Sequence, residues 1–249
     1  MRVVYDYKKG KERVDDILDN VISIEESSKI PKDDSFTFNN GYYSWITAIF
    51  VDIRDSSELF SKKGLNDKKK TSKMVRAFTS EIIEILRDSD NLREIGIRGD
   101  CVYAIYTTQY QSDIKECSDK AVYVNTYLNM LNKLLVSKEE EIIKAGIGMA
   151  SAEELVVKAG RSHTGINSKV WIGEAVTRAS KLSALGQKVT NDRLFFSKAS
   201  YDNFIELWKK ENPGAESWFT KYIDNNYNVS YHCGCVISDF NDWINSGMK

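Results

Sequence analysis

The chain has 249 residues, of which 42% are apolar, 29% charged and 11% aromatic, so it can bury a sizeable core. Its 35 basic and 36 acidic side chains give a formal net charge of −1, which argues against a dedicated binder of nucleic acid or acidic membranes. The longest apolar runs, such as 46–51, are far shorter than the ~20 residues of a membrane span, and the N-terminus lacks the apolar core of a secretory signal. We therefore expect a cytoplasmic protein whose four cysteines stay reduced.

The predicted elements alternate between helices and strands. Helical spacing of apolar residues predicts a helix over 11–24, and the polar segment 25–45 is predicted to be a loop. The β-branched and aromatic run 46–54 is typical of a buried strand. The following predicted elements, in chain order, are helix 71–87, strands 92–98 and 101–107, helix 112–136, strands 142–150 and 154–159, helix 174–184, strand 194–197 and helix 199–209.

The order β-α-β-β-α-β within this series is that of a ferredoxin-like, split βαβ fold, so the predicted class is α+β. Only two prolines, Pro31 and Pro213, punctuate the chain. We predict an N-terminal helical extension over 1–44, a catalytic domain over 45–212, and a C-terminal extension over 213–249 packed on the core.

Two aspartates stand out by position. Asp52 ends the first core strand, and Asp100 lies on the predicted turn between the strands 92–98 and 101–107. In a ferredoxin-like sheet these strands are neighbours, so both carboxylates can converge at one edge. Two carboxylates and a backbone carbonyl suit hard cations such as Mg²⁺ or Mn²⁺. For Asp100 alone, an ordinary turn residue is the better interpretation, since Gly-Asp is common at turns.

The context of these aspartates resembles a known family, the class III nucleotide cyclases. Four stretches are similar to the family's first metal motif, its second metal motif, the strand before its nucleotide pocket, and its Trp-Gly-x-x-Val-Asn-x-Ala-x-Arg helix. They are, in that order, residues 49–57, 97–104, 144–150 and 170–181.

The resemblance implies a homodimer with composite active sites that acts on a nucleoside triphosphate. It implies that Asp52, Asp100 and the Ile53 carbonyl bind two Mn²⁺ or Mg²⁺ ions per site. The ribose 3′-oxygen would attack the α-phosphorus and release pyrophosphate. Cationic groups from the other subunit would stabilise the developing charge.

The helix motif departs from the family. Thr177 stands where the family has the Asn that orients the ribose, and Lys181 replaces the transition-state Arg. Lys keeps the charge but loses the bidentate fork. Arg178 lies three residues before Lys181 on the same helical face and is an alternative source of that charge. Plain surface charges are the competing interpretation.

The base-selecting positions depart further, since Gly96 and Val170 stand where purine cyclases carry hydrogen-bonding side chains. The pattern is similar to the pyrimidine cyclases of bacterial Pycsar anti-phage systems, whose product activates a separate effector protein. Phe50 shares a strand face with Asp52 and either presses on the base or belongs to the core. Arg98 or Tyr103 can fill the space that a small base leaves. A positive donor such as Arg98 favours UTP over CTP.

Three other functions remain open from the sequence. A divergent adenylate or guanylate cyclase would use unfamiliar base contacts. A catalytically inactive nucleotide-binding cyclase-homology domain would explain the replacements at Thr177 and Lys181. A palm-type polymerase or diguanylate cyclase is disfavoured, because the chain has no Gly-Gly-Asp/Glu-Glu-Phe signature and no basic excess for a template.

Overall fold

The computed structural model describes residues 5–56, 67–161, 165 and 167–249. Within them it contains six α-helices, nine β-strands and two short 3₁₀ turns. The helices are α1 (Tyr7–Leu18), α2 (Lys68–Arg87), α3 (Gln111–Ser137), α4 (Glu174–Ser183), α5 (Lys198–Glu211) and α6 (Ser238–Asn245). The strands are β1 (Ser23–Glu26), β2 (Asn40–Ile53), β3 (Leu92–Arg98), β4 (Cys101–Thr107), β5 (Ala145–Gly160), β6 (Asn167–Gly173), β7 (Leu194–Ser197), β8 (Thr220–Ile223) and β9 (Val229–Cys233).

All nine strands form one mixed sheet in the order β3-β4-β2-β5-β7-β9-β8, with β1 paired to β2 and β6 paired to β5. The segment from β2 to β5 has the ferredoxin-like order β-α-β-β-α-β, and its four strands are arranged as β5-β2-β4-β3. The predicted α+β class and split βαβ core are therefore confirmed.

Each face of the sheet carries its own apolar cluster. One face packs against α2, α3 and α5. The buried apolar residues of α2 recur at the spacing of one helical face: they are Met74, Phe78, Ile82 and Leu86. The opposite face packs mainly against α4 through Ala175, Ala179 and Leu182. The second face also carries Phe50 and Tyr103, so the site residues on β2 and β4 lie on the side of α4.

Three elements differ from the predictions. The predicted helix over 11–24 is α1, which begins at Tyr7 because Asp6 caps it and which ends at Leu18. The predicted loop 25–45 contains the start of β2, and Ser23–Glu26 forms β1, which runs parallel to β2. The two strands predicted over 142–150 and 154–159 are the single strand β5, because Glu153 and Glu154 continue the ladder with β2.

The terminal segments join the same sheet. β1 extends it beside β2, and the hairpin of β8 and β9 extends it beyond β7. The domain boundaries at 44 and 212 stay a prediction.

All four cysteines are free thiols, as expected. None of the helices in the described ranges combines the length and apolar composition that crossing a bilayer requires. Ser57, the last residue of the first metal motif, lies outside the described residues.

Candidate active site

The two metal-motif aspartates lie side by side at one edge of the sheet. β2 and β4 are antiparallel neighbours, and Asp52 is paired in register with Cys101. Asp100 precedes Cys101 in the turn between β3 and β4, where Gly99 supplies the positive φ of 65°. The predicted hairpin thus places the Asp100 carboxyl next to the Asp52 carboxyl, because a two-residue turn holds Asp100 at the end of β4.

The pKa of Asp52 is raised above its ordinary value, mainly by burial and further by the neighbouring charge of Asp100, although the Arg54 guanidinium lowers it. Arg54 forms an ion pair with the Asp52 carboxylate. The same guanidinium donates a 3.0 Å hydrogen bond to the Ala184 carbonyl, just beyond the end of α4. Arg54 therefore connects the metal-motif aspartate to α4.

This pair of carboxylates fits a divalent cation. Asp100 is near enough to Asp52 to act on its pKa, and two like charges that close favour a bound cation. Among the described residues no third Asp, Glu, His or Cys completes a metal-ligating group. The backbone carbonyl of Ile53, predicted as the additional ligand, belongs to the end of β2.

Helix α4 lies directly against β5 because two glycines leave room for it. A Cβ at Gly146 would lie 1.9 Å from the Ser183 carbonyl oxygen, and one at Gly148 would lie 2.0 Å from that of Ala179. Asp52 is paired with Gly146 in the ladder of β2 and β5. The stretch 144–150, which resembles a family strand, thus sets the distance between α4 and the sheet.

The three predicted catalytic side chains line one cavity beside α4. Thr177, Arg178 and Lys181 share a space of ≈ 310 Å³ with residues of the β8–β9 hairpin, among them Tyr222 and Asp224. Neither Asp52 nor Asp100 is among the residues that line it. The structure therefore brings the three helix residues together in one cavity, and the two metal-motif aspartates lie outside its lining.

The bonds of these three side chains differ. Thr177 donates its hydroxyl to the Gly173 carbonyl at 3.5 Å, which is a local helix contact. Arg178 donates to the Val229 carbonyl at 2.8 Å. Lys181 is exposed and has no hydrogen bond or ion pair with the part of the chain that the structure describes. Of the two cations, Lys181 is therefore the one without a partner in the described part of the chain.

Phe50, one of the predicted base-contacting residues, lies on the α4 side of the sheet, two residues along β2 from Asp52. The Phe50 ring stacks on the Tyr103 ring at 5.4 Å between centroids and 18° between planes. Tyr103 is paired with Gly96, and a Cβ on Gly96 would lie 2.8 Å from the Tyr103 hydroxyl oxygen. Tyr103, rather than Arg98, therefore fills the space over Gly96.

Arg98 and Val170 lie farther out. Arg98 is exposed at the end of β3 and has no hydrogen bond or ion pair within the described ranges. Val170 is 40% exposed on β6. Because side chains alternate along a strand, the Val170 side chain points to the opposite side of β6 from that of Trp171. Trp171 packs against the apolar cluster on the α4 side of the sheet and donates its Nε1 hydrogen to Glu94.

Sequence reasoning missed Glu94, Trp171 as a hydrogen-bond donor, Arg54 and the contact of the β8–β9 hairpin with α4. Strand alternation places Glu94 on the same face as Gly96 and Arg98, which was a usable signal. The contact of the hairpin with α4 joins positions about 50 residues apart, and no local pattern indicates it.

A buried carboxyl, Glu154, caps helix α4. It is fully buried on β5 and accepts hydrogen bonds from the backbone N–H groups of Ala175 at 2.6 Å and Val176 at 3.3 Å. Its second oxygen, and the Ser44 hydroxyl on the paired residue of β2, have no partner among the described residues. Burial raises the pKa of Glu154, although the two N–H groups lower it.

Glu154 makes the stability of the protein pH-dependent. A carboxyl whose pKa is raised in the folded state favours folding below its unfolded pKa of about 4.3, and this contribution is lost as the pH rises through the folded value. We expect the free energy of unfolding of the wild type, relative to Glu154→Gln, to fall from pH 4 to pH 7. Urea denaturation across this range measures the difference, and a constant difference contradicts the assignment.

Glu154→Ala, which leaves two N–H groups unpaired, is expected to lower the free energy of unfolding by about 1–3 kcal/mol.

Two curated relatives are similar over most of the chain, and no protein-family model matches it. A uridylate cyclase from Treponema porcinum is 51% identical over 244 residues, which cover 98% of this chain and 82% of the relative. A uridylate cyclase from Gulbenkiania mobilis is 36% identical over 205 residues, which cover 80% of this chain and 79% of the relative.

Solved structures share the fold at low sequence identity. A class III adenylyl cyclase-like ATP-binding protein from Pseudomonas aeruginosa matches with a TM-score of 0.67 and 15% identity, over 99% of this chain and 50% of its own. A bacterial light-regulated adenylyl cyclase matches with a TM-score of 0.59 and 16% identity, over 82% of this chain and 98% of its own. The guanylyl cyclase Cya2 matches with a TM-score of 0.58 and 15% identity, over 81% and 97%. The fold is that of a class III cyclase domain.

Proposed function

The chain belongs to the uridylate cyclase family and is a nucleotide cyclase, and we propose that it converts UTP to 3′,5′-cyclic UMP and pyrophosphate. The observation that carries this proposal is the 51% identity to a uridylate cyclase over nearly the whole chain. The base pocket supports it, because Tyr103 fills the small space over Gly96. Arg98, two residues along β3 from Gly96, is a donor without a hydrogen bond or ion pair among the described residues.

Asp52, Asp100 and the Ile53 carbonyl would hold the two divalent cations, Mn²⁺ or Mg²⁺. When bound, these cations neutralise charge on the phosphates and lower the pKa of the ribose hydroxyl. By holding these cations, the carboxylates of Asp52 and Asp100 would position the α-phosphate relative to the ribose. The 3′-hydroxyl would release its proton to solvent water and its oxygen would bond to the α-phosphorus, while the bond from that phosphorus to the bridging oxygen of the β-phosphate breaks and pyrophosphate leaves.

We place each active site between two copies of the chain. In the sheet order, Asp52 and Asp100 belong to β2 and the β3–β4 turn, whereas the cavity of Lys181 borders β8 and β9 across β5. α4 lies on β5 between these two regions. A symmetric homodimer, in which each subunit gives its aspartates to one site and its α4 side chains to the other, brings the two sets together.

In this composite site Lys181 is the transition-state cation, and it stabilises the charge that develops on the α-phosphate and the leaving pyrophosphate. Arg178 takes a supporting position, since its guanidinium already donates to the Val229 carbonyl. The Thr177 hydroxyl, whose present bond at 3.5 Å is long, is free to orient the ribose.

The cyclic nucleotide would act as a second messenger in bacterial antiviral defence, in the cytoplasm, where a separate effector protein responds to it. The chain itself needs no nucleic-acid or membrane contact for this role. Its near-zero net charge agrees with a small-molecule substrate.

The proposal is tested by incubating purified protein and Mn²⁺ with UTP, and in separate reactions with ATP and GTP, and identifying the products by mass spectrometry. We expect cyclic UMP and pyrophosphate in equal amounts, and no reaction when EDTA removes the metal. UMP, UDP or free phosphate as the main product would contradict cyclisation. Turnover of purine triphosphates without any turnover of UTP would leave a cyclase of different base specificity.

A further inference from the structure

We propose that α1 of one subunit packs antiparallel against α1 of its partner, so that the two helices form an additional contact of the homodimer. The surface that makes this contact is the apolar face of α1, which is formed by Tyr7, Val14, Ile17 and Leu18. It lies away from the metal-motif aspartates, because β1, which follows α1, pairs with residues 40–43 of β2, at the opposite end of that strand from Asp52.

The apolar face of α1 is uncovered in the single chain. Each of its four side chains is more than half exposed, and they recur at the spacing of a helix that packs on another surface. Among the residues of α1 only Gly10 is buried, and a Cβ there would meet the ring of Tyr5. α1 makes no extensive contact with another helix or strand in the described part of the chain. The face therefore has room for a partner.

α1 has little stability of its own. It has 12 residues, a length at which an isolated helix is marginal in water, and Gly10 in its interior disfavours the helix further. Its charges also oppose the helix dipole, because the first turn carries Lys8 and Lys9 without an acid and the last turn carries Asp15 and Asp16 without a base. Packing against another surface would offset both effects.

The charges of α1 favour a second copy of the same helix as the partner. Residues 8–13 contain four bases and one acid, whereas residues 15–19 contain three acids and no base. Two copies that run antiparallel place the basic part of each helix beside the acidic part of the other, and they also oppose the two helix dipoles. A two-fold axis between the helices gives this arrangement, since the same face then contacts itself. A parallel pair would bring like charges together.

The area of this contact suits a supplement to the dimer. A helix of 12 residues is about 18 Å long, so two such helices bury less than the ~800 Å² per partner of a standard interface. Three exposed apolar residues that follow the helix extend the surface: they are Val21, Ile22 and Ile24. The catalytic domains supply the remaining area, and the helix pair strengthens their association.

The first experiment measures the dissociation constant of the dimer by sedimentation velocity over a dilution series. Ile17→Ser removes an apolar side chain from both helices, and we expect the constant to rise at least about tenfold. Glu12→Ser, on the opposite side of α1, is the matched control and is expected to change it less than about twofold. Combining Lys8→Glu with Lys9→Glu improves the charges relative to the helix dipole, yet should weaken the dimer because the new acids face the partner's acidic part.

The second experiment tests the direction of the helices by oxidative crosslinking. A chain with Tyr7→Cys and a co-expressed chain with Leu18→Cys should form a disulfide-linked dimer, whereas neither variant should crosslink with itself, because the two positions lie at opposite ends of α1. The wild type, with its four free thiols, gives the background.

Two results would overturn the antiparallel pair. One is an equal dissociation constant for Ile17→Ser and Glu12→Ser, in proteins that melt like the wild type. The other is crosslinking of each cysteine variant with itself, or none above the background. Both readouts need no nucleotide, so a failure to form cyclic UMP would overturn the proposed function and leave the helix pair as measured.

Discussion

Asp52→Asn is expected to lower kcat about 10³-fold while the protein remains folded. A metal ion contributes several kcal/mol of charge stabilisation to such a transition state, and about 1.4 kcal/mol corresponds to a tenfold change in rate. The amide is nearly the same size as the carboxylate but has no negative charge for the cation. Steady-state turnover of UTP with saturating Mn²⁺ measures the effect, and a melting curve monitors the fold.

The matched control for this variant is Asp55→Asn. Asp55 is exposed three residues later, and its φ of 56° is a conformation that Asn tolerates. We expect this variant to keep the wild-type rate. Wild-type activity in both variants would exclude Asp52 as a metal ligand. A similar loss of activity in both would indicate a general sensitivity of this loop.

Mixing two inactive variants is expected to restore activity if the active sites are shared between subunits. Lys181→Met removes the free cation of α4, which we expect to reduce kcat about 10²-fold or more. When it is co-expressed with Asp52→Asn in equal amounts, half of the dimers are mixed, and each mixed dimer has one intact site of two. The mixture should therefore recover about a quarter of the wild-type activity.

Sequential purification on the two affinity tags, one on each co-expressed variant, followed by size-exclusion chromatography shows whether mixed dimers form. Mixed dimers that stay as inactive as their parents would contradict the composite site, because both substitutions would then affect the same pocket. Lys188→Met is the control for the charge change, since Lys188 is exposed beyond α4 and does not line the Lys181 cavity. We expect Lys188→Met to keep the wild-type activity by itself, without co-expression of a second variant.

The core of the fold could be predicted because its pattern is local. Buried β-branched residues in β2 and the Gly-Asp turn between β3 and β4 follow from propensity and turn chemistry. The length of β5 could not, because Glu154 interrupts its apolar pattern and its burial is offset only by N–H groups of α4, about 20 residues away. Strand β6 was also missed, since its mostly exposed residues have no alternating apolar pattern.

The site could be predicted to the same extent. The neighbouring strands of Asp52 and Asp100 followed from the fold class, and the cavity around Lys181 was consistent with one helical face. The contact between Tyr103 and Glu94 could not be predicted, because it depends on the absence of a side chain at Gly96 and on the donor from β6. These are packing relations between strands, which the sequence pattern does not carry.

The central claim, that the chain is a uridylate cyclase in substrate as well as in family, is tested most directly by competition. An equimolar mixture of UTP, CTP, ATP and GTP with Mn²⁺, sampled at early times, gives the four kcat/KM values relative to one another in a single reaction. We predict that cyclic UMP exceeds each other cyclic nucleotide at least about tenfold, as expected for a site that recognises one base edge. Cyclic AMP or cyclic GMP as the main product would contradict this account.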